Sequence, residues 1–241
     1  MSLSRAATPR ITTGNRLLDA LPPEDLGRVL PHLERIPLPV RLSLHAPGKR
    51  IEFVHFPDRG MLSVVASPED GVLVEVGVIG REGFAGVPAL LEAETSPHET
   101  FVQVAGSGWR MKADAMRAEA ERSPAFRDVL FRYAQFFLIQ VAQTAACNAR
   151  HALEVRLARW LLTARDRLDT DAMPLTQEFL AIMLGVQRPG VSLAASALQR
   201  AGSIRYTHGW ITVADRALLE AASCECHGLV QREFDRLFPT V

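Results

Sequence analysis

The chain has 241 residues, 48% of them hydrophobic and 22% charged, enough material for a packed core and for one large or two modest domains. Lysine plus arginine and aspartate plus glutamate each count 27, so no global field draws the chain to nucleic acid or membrane; a charged partner must be met by a local patch. Three cysteines (Cys147, Cys224, Cys226) are too few for a disulfide framework, the N-terminal stretch is unlike a secretory leader, and no uncharged apolar run approaches a membrane span, so a soluble cytoplasmic protein is expected, without a membrane partner.

Residues 1–13 are expected to form a flexible tail, and residues 14–34 short helices broken by prolines, with Pro22 and Pro23 opening the second. Between about 36 and 110 short β-rich runs recur: RLSL (41–44), IEFVHF (51–56), MLSVVAS (61–67), VLVEVGVI (72–79), TFVQVAG (100–106) and GWRMK (108–112). Turn-forming stretches such as HAPGK, PDRG, PEDG, GREG and SPHE separate them, which predicts an antiparallel sandwich or barrel.

The texture changes near residue 111. Residues 112–121 are predicted helical, and Ser123 with Pro124 supplies the N-cap and first-turn proline of a long helix reaching about Arg150. Along it Phe126, Leu130, Tyr133, Phe137, Gln140, Thr144, Cys147 and His151 recur at alternating spacings of four and three. A helix packed on its own domain would satisfy that stripe. Its regularity beside a separate β domain favours a partner helix, so Phe126 through Cys147 are read as the seam of a homodimer. After a break near 148–151, a second amphipathic helix spans 153–168, with Leu153, Leu157, Trp160, Leu161, Ala164 and Leu168 on one side.

Thr176 can N-cap a helix beginning at Gln177. Counted from Gln177, Ala181 is the small fifth residue where two helices press together, Gly185 the ninth where a turn needs positive φ, and Val191 the β-branched fifteenth. Leu180, Leu184, Val186 and Ala194 fill the other inward slots of a helix–turn–helix. SIRYTHGWITV follows, two β runs around His208 and Gly209, and this hairpin makes the unit winged. Gln187, Arg188, Pro189, Ser192, Leu193 and Ser196 form the outward N-terminal face of its second helix. Arg188 has the donor fork that suits guanine O6/N7 and Gln187 could read adenine; Ser192, Ser196, Gln199, Arg200 and Arg205 can take phosphates or position the wing. With Thr176 and Gln177 these residues make up the expected DNA-binding set. Within 174–214 three arginines face one acid, Glu178, a thin basic surplus of two.

The order of domains, VRLARWLL (155–162) and the stretch from Leu175 to Val213 resemble the Crp/Fnr family of bacterial transcription regulators across about residues 14–225. The resemblance implies an α+β chain: an N-terminal double-stranded β-helix (jelly roll) of cyclic-nucleotide-binding-like type over 14–117, a dimerisation helix over 118–150 and a winged helix–turn–helix over 152–241. It also implies a homodimer on a two-fold double-stranded DNA site, the β domain as sensor, and RNA polymerase as a contact.

The stretch over 80–106 departs from the family's cyclic-nucleotide cassette. Val87 and Pro88 stand where the ribose-binding glutamate belongs, and SPHET stands near the place of the phosphate-gripping Arg-Ser pair. A buried phosphate without its arginine is an unpaired charge, so cyclic AMP is not expected to bind in the usual manner, no cofactor is assigned, and the effector is unknown or absent. Gln140 and Thr144 are the candidate effector contacts. No cysteine precedes Cys147 to hold an N-terminal iron–sulfur cluster, and His32, His45, His55 and His98 read as ordinary surface or turn histidines rather than haem ligands. The Cys224–Cys226 pair lacks the second pair of a zinc site, so no metal is assigned; an interchain disulfide at Cys147 is a lesser reading. No G-x-S-x-G, H-E-x-x-H or Walker pattern occurs, so the chain is read as no enzyme. The alternative to a DNA-binding regulator is a ligand-binding or protein-interaction module whose helix–turn–helix does not read DNA.

Overall fold

The structure, a computed structural model, describes residues 12–67 and 73–239. Residues 1–11 of the expected tail (1–13) and the whole PEDG turn (68–71) lie outside that range. Thr13, at the end of the expected tail, is tied down: it is buried, and its carbonyl accepts a hydrogen bond from Trp109 Nε1 at 3.0 Å. Asn15 then caps α1 (Arg16–Asp19), accepting from the amides of Leu17 and Leu18. Its amide nitrogen donates to the carbonyls of Pro57 and Gly83, both at 2.8 Å, so this buried side chain fixes the N-terminal turn to a long strand of the sheet and to a loop beside it. Helix α2 (Pro23–Val29) follows, with Pro23 in the first turn.

The β domain is antiparallel. Strands β1 (Glu34–Leu38), β2 (Ser43–His45), β3 (Phe53–Ala66), β4 (Val74–Ile79) and β5 (Glu99–Lys112) run β1-β5-β3-β4, with β2 also on β5. Two long strands replace four expected short ones. The stretch PDRG, read as a turn, is instead an irregularity within β3: the register against β5 shifts between Pro57 and Arg59 and again around Met61. Gly60 sits there at φ +84, so the strand bends without ending. Turn-like composition marked a bulge rather than a reversal.

Beyond the bend β3 is buried on both faces, because alternate residues meet different cores. Leu62 joins Val54, Phe56, Phe84, Val102, Leu130 and Tyr133 in the core of the roll. Met61 and Val65 of β3, with Val78 of β4, join a second core built from the C-terminal helices. Between β4 and β5 lies the short helix α3 (Val87–Leu90).

Helices α4 (Ala113–Arg122) and α5 (Pro124–Arg150) leave the roll. Ser123 N-caps α5 by accepting from Phe126 N at 3.0 Å and donates its own hydroxyl to Asp25 at 2.6 Å. Helix α5 ends at His151, where α6 (Leu153–Leu168) turns away. The C-terminal domain continues through β6 (Ala172–Pro174), α7 (Gln177–Leu184), α8 (Arg188–Arg200), β7 (Ile204–Thr207), β8 (Trp210–Val213), α9 (Arg216–Ala222) and α10 (Cys226–Leu237). Helix α10 returns to α5, setting Phe234 edge-on against Phe136 with ring centroids 5.0 Å apart.

That packing corrects the reading of the long helix. Phe126, Leu130, Tyr133 and Cys147 are fully buried within the protomer, and Gln140 is nearly so. Tyr133 stacks at 5.2 Å from Phe84 and seats where Gly83 leaves room; a Cβ on that glycine would lie 2.3 Å from the ring. Phe137 presses on Gly77, and Gln140 Oε1 accepts from Val78 N at 2.9 Å. From Phe126 to Gln140 the regular stripe thus packs on the protomer's own β domain, and Cys147 at its end packs beside Cys224. The opposite face is open, with Phe131 and Leu138 exposed.

Candidate nucleic-acid interface

The helix–turn–helix is built from the slots its sequence supplies. Thr176 Oγ1 caps α7 by accepting from Phe179 N at 3.2 Å. Gly185 ends that helix at φ +62, a conformation that costs a side chain about 1 kcal/mol and a glycine almost nothing. Ala181, Leu184, Val191, Ala194 and Leu198 are buried between α7, α8 and α6. The wing closes on β7 and β8, where His208 and Gly209 both take positive φ, as a two-residue hairpin turn of primed type requires.

This scaffold leaves the N-terminal half of α8 bare. Gln187, Arg188, Pro189, Leu193 and Ser196 are exposed, and Leu193 is 74% exposed. An apolar side chain so placed would meet water alone, or the methyl group of a thymine in a major groove. Arg188 is held by Glu178 at 2.9 Å, both side chains more than half exposed. Exposed pairs of this kind contribute about 0–1 kcal/mol, so the guanidinium can exchange that carboxylate for another acceptor at little cost. Arg200 and Arg205 are exposed at the end of α8 and on the wing.

Besides Thr176 and Arg188, three further residues of the expected set have partners within the protein. Ser192 donates to Gln177 Oε1 at 2.6 Å, which ties α8 to α7, and Gln199 Oε1 accepts from Tyr206 N at 2.8 Å, which fixes the wing to α8. These side chains hold α7, α8 and the wing together.

The domain carrying this surface is fixed to the roll. Trp160 Nε1 on α6 donates to Glu75 Oε1 on β4 at 2.6 Å, and Ser63 on β3 donates to the other carboxylate oxygen. Burial pushes the Glu75 carboxyl up to about 7, against the pull of those two donors and of Arg159 and Arg167. Nearby, Arg167 pairs with Glu82 at 2.8 Å, each side chain only 10% exposed. Further along α6, burial works to raise the Asp166 carboxyl, but His227 and Arg216 outweigh it and hold it well below the usual range. A cavity of about 80 Å³ lies among β4, α5, α6 and α10, with Glu75, Gln140, Thr144, Arg159 and Arg167 in its wall. Ligand pockets usually hold roughly 300–1,000 Å³, so this space suits a few waters or a very small solute.

In the β domain, the stretch over 80–106 contains α3, with Ala89 fully buried, and its one arginine, Arg81, has a half-exposed side chain 3.7 Å from the Asp169 carboxylate. Between the roll and α5, Phe56, Phe84, Tyr133 and Phe136 form a continuous stack with centroid separations of 5.2–6.1 Å. His45 and His55 are corrected from surface to interior: both are buried, with rings 5.5 Å apart, and burial lowers the pKa of each, His55 to about 3. Cys147, expected on the seam, is buried beside Cys224 and Cys226 at the start of α10.

A β-roll joined by a long helix to a winged helix–turn–helix is the architecture of effector-linked transcription regulators. Residues 155–222 match the Crp-like helix-turn-helix domain family. A transcriptional regulator of the Crp/Fnr family from Eubacterium rectale superposes with a TM-score of 0.69 at 14% identity, over 88% of this chain and 99% of the other. FixK2 from Bradyrhizobium japonicum gives 0.68 at 16% identity over 80% and 98%. The c-di-GMP responsive global regulator CLP of Xanthomonas campestris gives 0.67 at 16% over 80% and 99%. No curated protein matches the chain. The protein has the fold of the Crp/Fnr regulators, with a Crp-like helix-turn-helix domain at its C-terminal end.

Proposed function

We propose that the protein is a homodimeric, DNA-binding transcription regulator that inserts α8 into the major groove of a two-fold site. The observation that carries this reading is the bare N-terminal half of α8, where Gln187, Arg188, Leu193 and Ser196 stand exposed on a rigid bihelical support. Arg188 is the side chain assigned to a guanine; Arg200 and Arg205 go to phosphates, with the thin basic surplus doubled by the dimer.

The dimer is assigned to the open face of α5. There Phe131, Gln135, Leu138, Ala142, Ala145 and Ala149 recur at spacings of four and three, all exposed. Small residues toward the C-terminal end let two such helices approach closely, and the 4-3 spacing suits a left-handed pair. This stripe replaces the inward one that sequence periodicity picked out.

Cyclic AMP is not assigned as effector, because the one arginine of the stretch over 80–106, Arg81, is half-exposed beside Asp169 and gives a phosphate no buried partner, and aromatic rings fill the space between roll and helix. Gln140 and Thr144 line the 80 Å³ cavity at the joint between the domains. A small polar effector there would act on the Trp160–Glu75 contact and so on the angle of α8.

The test is enrichment of a random duplex library on the purified, ligand-free protein. A two-fold symmetric site supports the reading, with half-sites about one helical turn apart. Absence of enrichment in the free protein and after addition of cyclic AMP, cyclic di-GMP and a small-metabolite panel overturns it, leaving a protein-interaction role for the bihelical unit. A true effector at about 100 times its Kd identifies itself in the same panel by stabilising the fold by about 2.7 kcal/mol.

A further inference from the structure

Four donor side chains from distant parts of the chain converge at the joint between α5 and the C-terminal domain. Cys147 lies in the last turn of α5 and His151 is that helix's C-cap residue, so the two point from one face of the helix end. Cys224 lies between α9 and α10, and Cys226 opens α10. The sulfurs of Cys147 and Cys224 are 3.6 Å apart, Cys226 Sγ is 3.7 Å from His151 Nδ1, and all four donor atoms lie within 4.8 Å of one another. Cys147 and Cys226 are fully buried; Cys224 and His151 are partly so.

These distances are those of one tetrahedral ion. Zinc–sulfur bonds of about 2.3 Å and zinc–nitrogen bonds of about 2.0 Å place sulfurs about 3.8 Å apart and sulfur and nitrogen about 3.5 Å apart around a tetrahedron. Donors this close share a single metal; the irons of a cluster hold their ligands further apart.

The surroundings also fit. Glu225 Oε1 is 3.6 Å from His151 Nε2, so the carboxylate addresses the ring nitrogen away from the sulfurs and leaves Nδ1 as the ligand atom. Gln143 Nε2 donates to Cys226 Sγ at 3.0 Å. Three thiolates and a neutral imidazole around a divalent ion carry one net negative charge. Burial holds the Cys147 thiol above its usual pKa, and the Arg159 guanidinium on α6 works against that rise. Arg159 is itself buried, and its Nε has no hydrogen-bond partner among the described residues.

We propose that Cys147, His151, Cys224 and Cys226 form a Cys₃His site for one tetrahedral divalent metal ion, of zinc type. Binding exchanges three thiol protons for three metal–sulfur bonds, with the histidine entering neutral and no change of oxidation state. The ion joins the end of α5 to the segment that leaves the winged domain, while His151 stands where the chain enters that domain. Metal loading therefore locks the joint that sets the angle between α5 and α8. The site rests on its own four donors and stands whether or not α8 reads DNA.

The sequence did not offer it, because Cys224 and Cys226 find their second pair some 75 residues earlier. The one local clue is Cys147 and His151 four apart on a helix, hidden by reading both as part of an apolar stripe.

The experiment measures metal in the full-length protein, purified untagged under reducing conditions, and then titrates the metal-free protein with Co²⁺. The expected result is one zinc per chain, and on titration one cobalt per chain with tetrahedral d–d bands and sulfur-to-cobalt charge transfer. Cys224→Ser and His151→Ala, at the two partly exposed ligands, weaken Zn²⁺ competition for bound cobalt by 100-fold or more, with folding followed by circular dichroism. Glu225→Gln weakens it by about 10–100-fold, as loss of an outer partner does elsewhere. Metal-free protein whose cobalt spectrum stays octahedral overturns the proposal. So does metal binding that Cys224→Ser and His151→Ala leave unchanged, or a disulfide among the three cysteines that yields no metal affinity after reduction.

Discussion

Helices α8 and α5 are both amphipathic, and their sequences foretold their surroundings unequally well. In α8 the apolar residues Val191, Ala194 and Leu198 meet α6 and α7, and the other side is bare. One stripe has one neighbour, so its period names both the buried face and the free one. Helix α5 has neighbours on two sides, the roll through Tyr133 and Gln140 and α10 through Phe136, and a further 4-3 stripe on its open side. A period establishes that a stripe exists and is silent about what covers it. When a helix carries two stripes, the more apolar one goes to the protomer's own core, because folding precedes association. The weaker stripe, diluted by Gln135 and three alanines, is left exposed and is the one assigned to the proposed dimer.

Three substitutions can break that comparison. Leu130→Ala on the inner face should cost about 2–5 kcal/mol of stability, read by denaturant unfolding, while the folded protein keeps its oligomeric state. Dissociation of the folded protein would return Leu130 to a seam. Leu138→Glu on the outer face should do the reverse: light scattering should show a dimer weakened ~100-fold, about 2.7 kcal/mol, with the melting of the chain little changed. A variant that stays dimeric would move the interface off α5. Arg188→Ala should cost about 1–3 kcal/mol at one base pair of each half-site and relax specificity there. If binding falls equally on all sequences, Arg188 touches phosphate, and the assignment of α8's first turn to base reading fails.

The winged helix–turn–helix was legible almost residue by residue, because its constraints are local: a cap at Thr176, a left-handed residue at Gly185, a hairpin at His208 and Gly209. The roll was legible as a class but not as strands. PDRG reads as a turn, and only its pairing with β5 converts it to a bend. Contacts between segments far apart in sequence were not legible at all. Gln140 was expected at a dimer or an effector, and its oxygen is taken by Val78 of the protomer's own sheet. Ser192 and Gln199 were expected to take phosphates or position the wing; Gln199 holds the wing, and Ser192 meets Gln177, a partner that only the closed bihelical unit brings near.

The smallest effect tests the joint between the two regions. Glu75 is a carboxyl in a second core that sequence patterning treats as an ordinary strand residue, facing Ser63 and Gln103 from the sheet and Trp160, Arg159 and Arg167 from α6. Its pKa is raised from 4.5 to about 7, so between those values the folded chain keeps a proton that the unfolded chain has lost. Stability linked to Glu75 is therefore full at the acid end of this window and falls as pH rises through it. His45 and His55 push the other way, because both are held neutral below the usual histidine pKa and favour unfolding as pH falls. The whole-protein profile mixes these slopes, but the difference between wild type and Glu75→Gln isolates the carboxyl. That difference should move in favour of the variant by on the order of 1 kcal/mol from pH 5 to pH 8, once relaxation around the ionised group is allowed for. A flat difference would mean that Trp160 and the two arginines already hold Glu75 ionised. The contact between roll and winged domain would then be a fixed ion-assisted bond, insensitive to pH across this range.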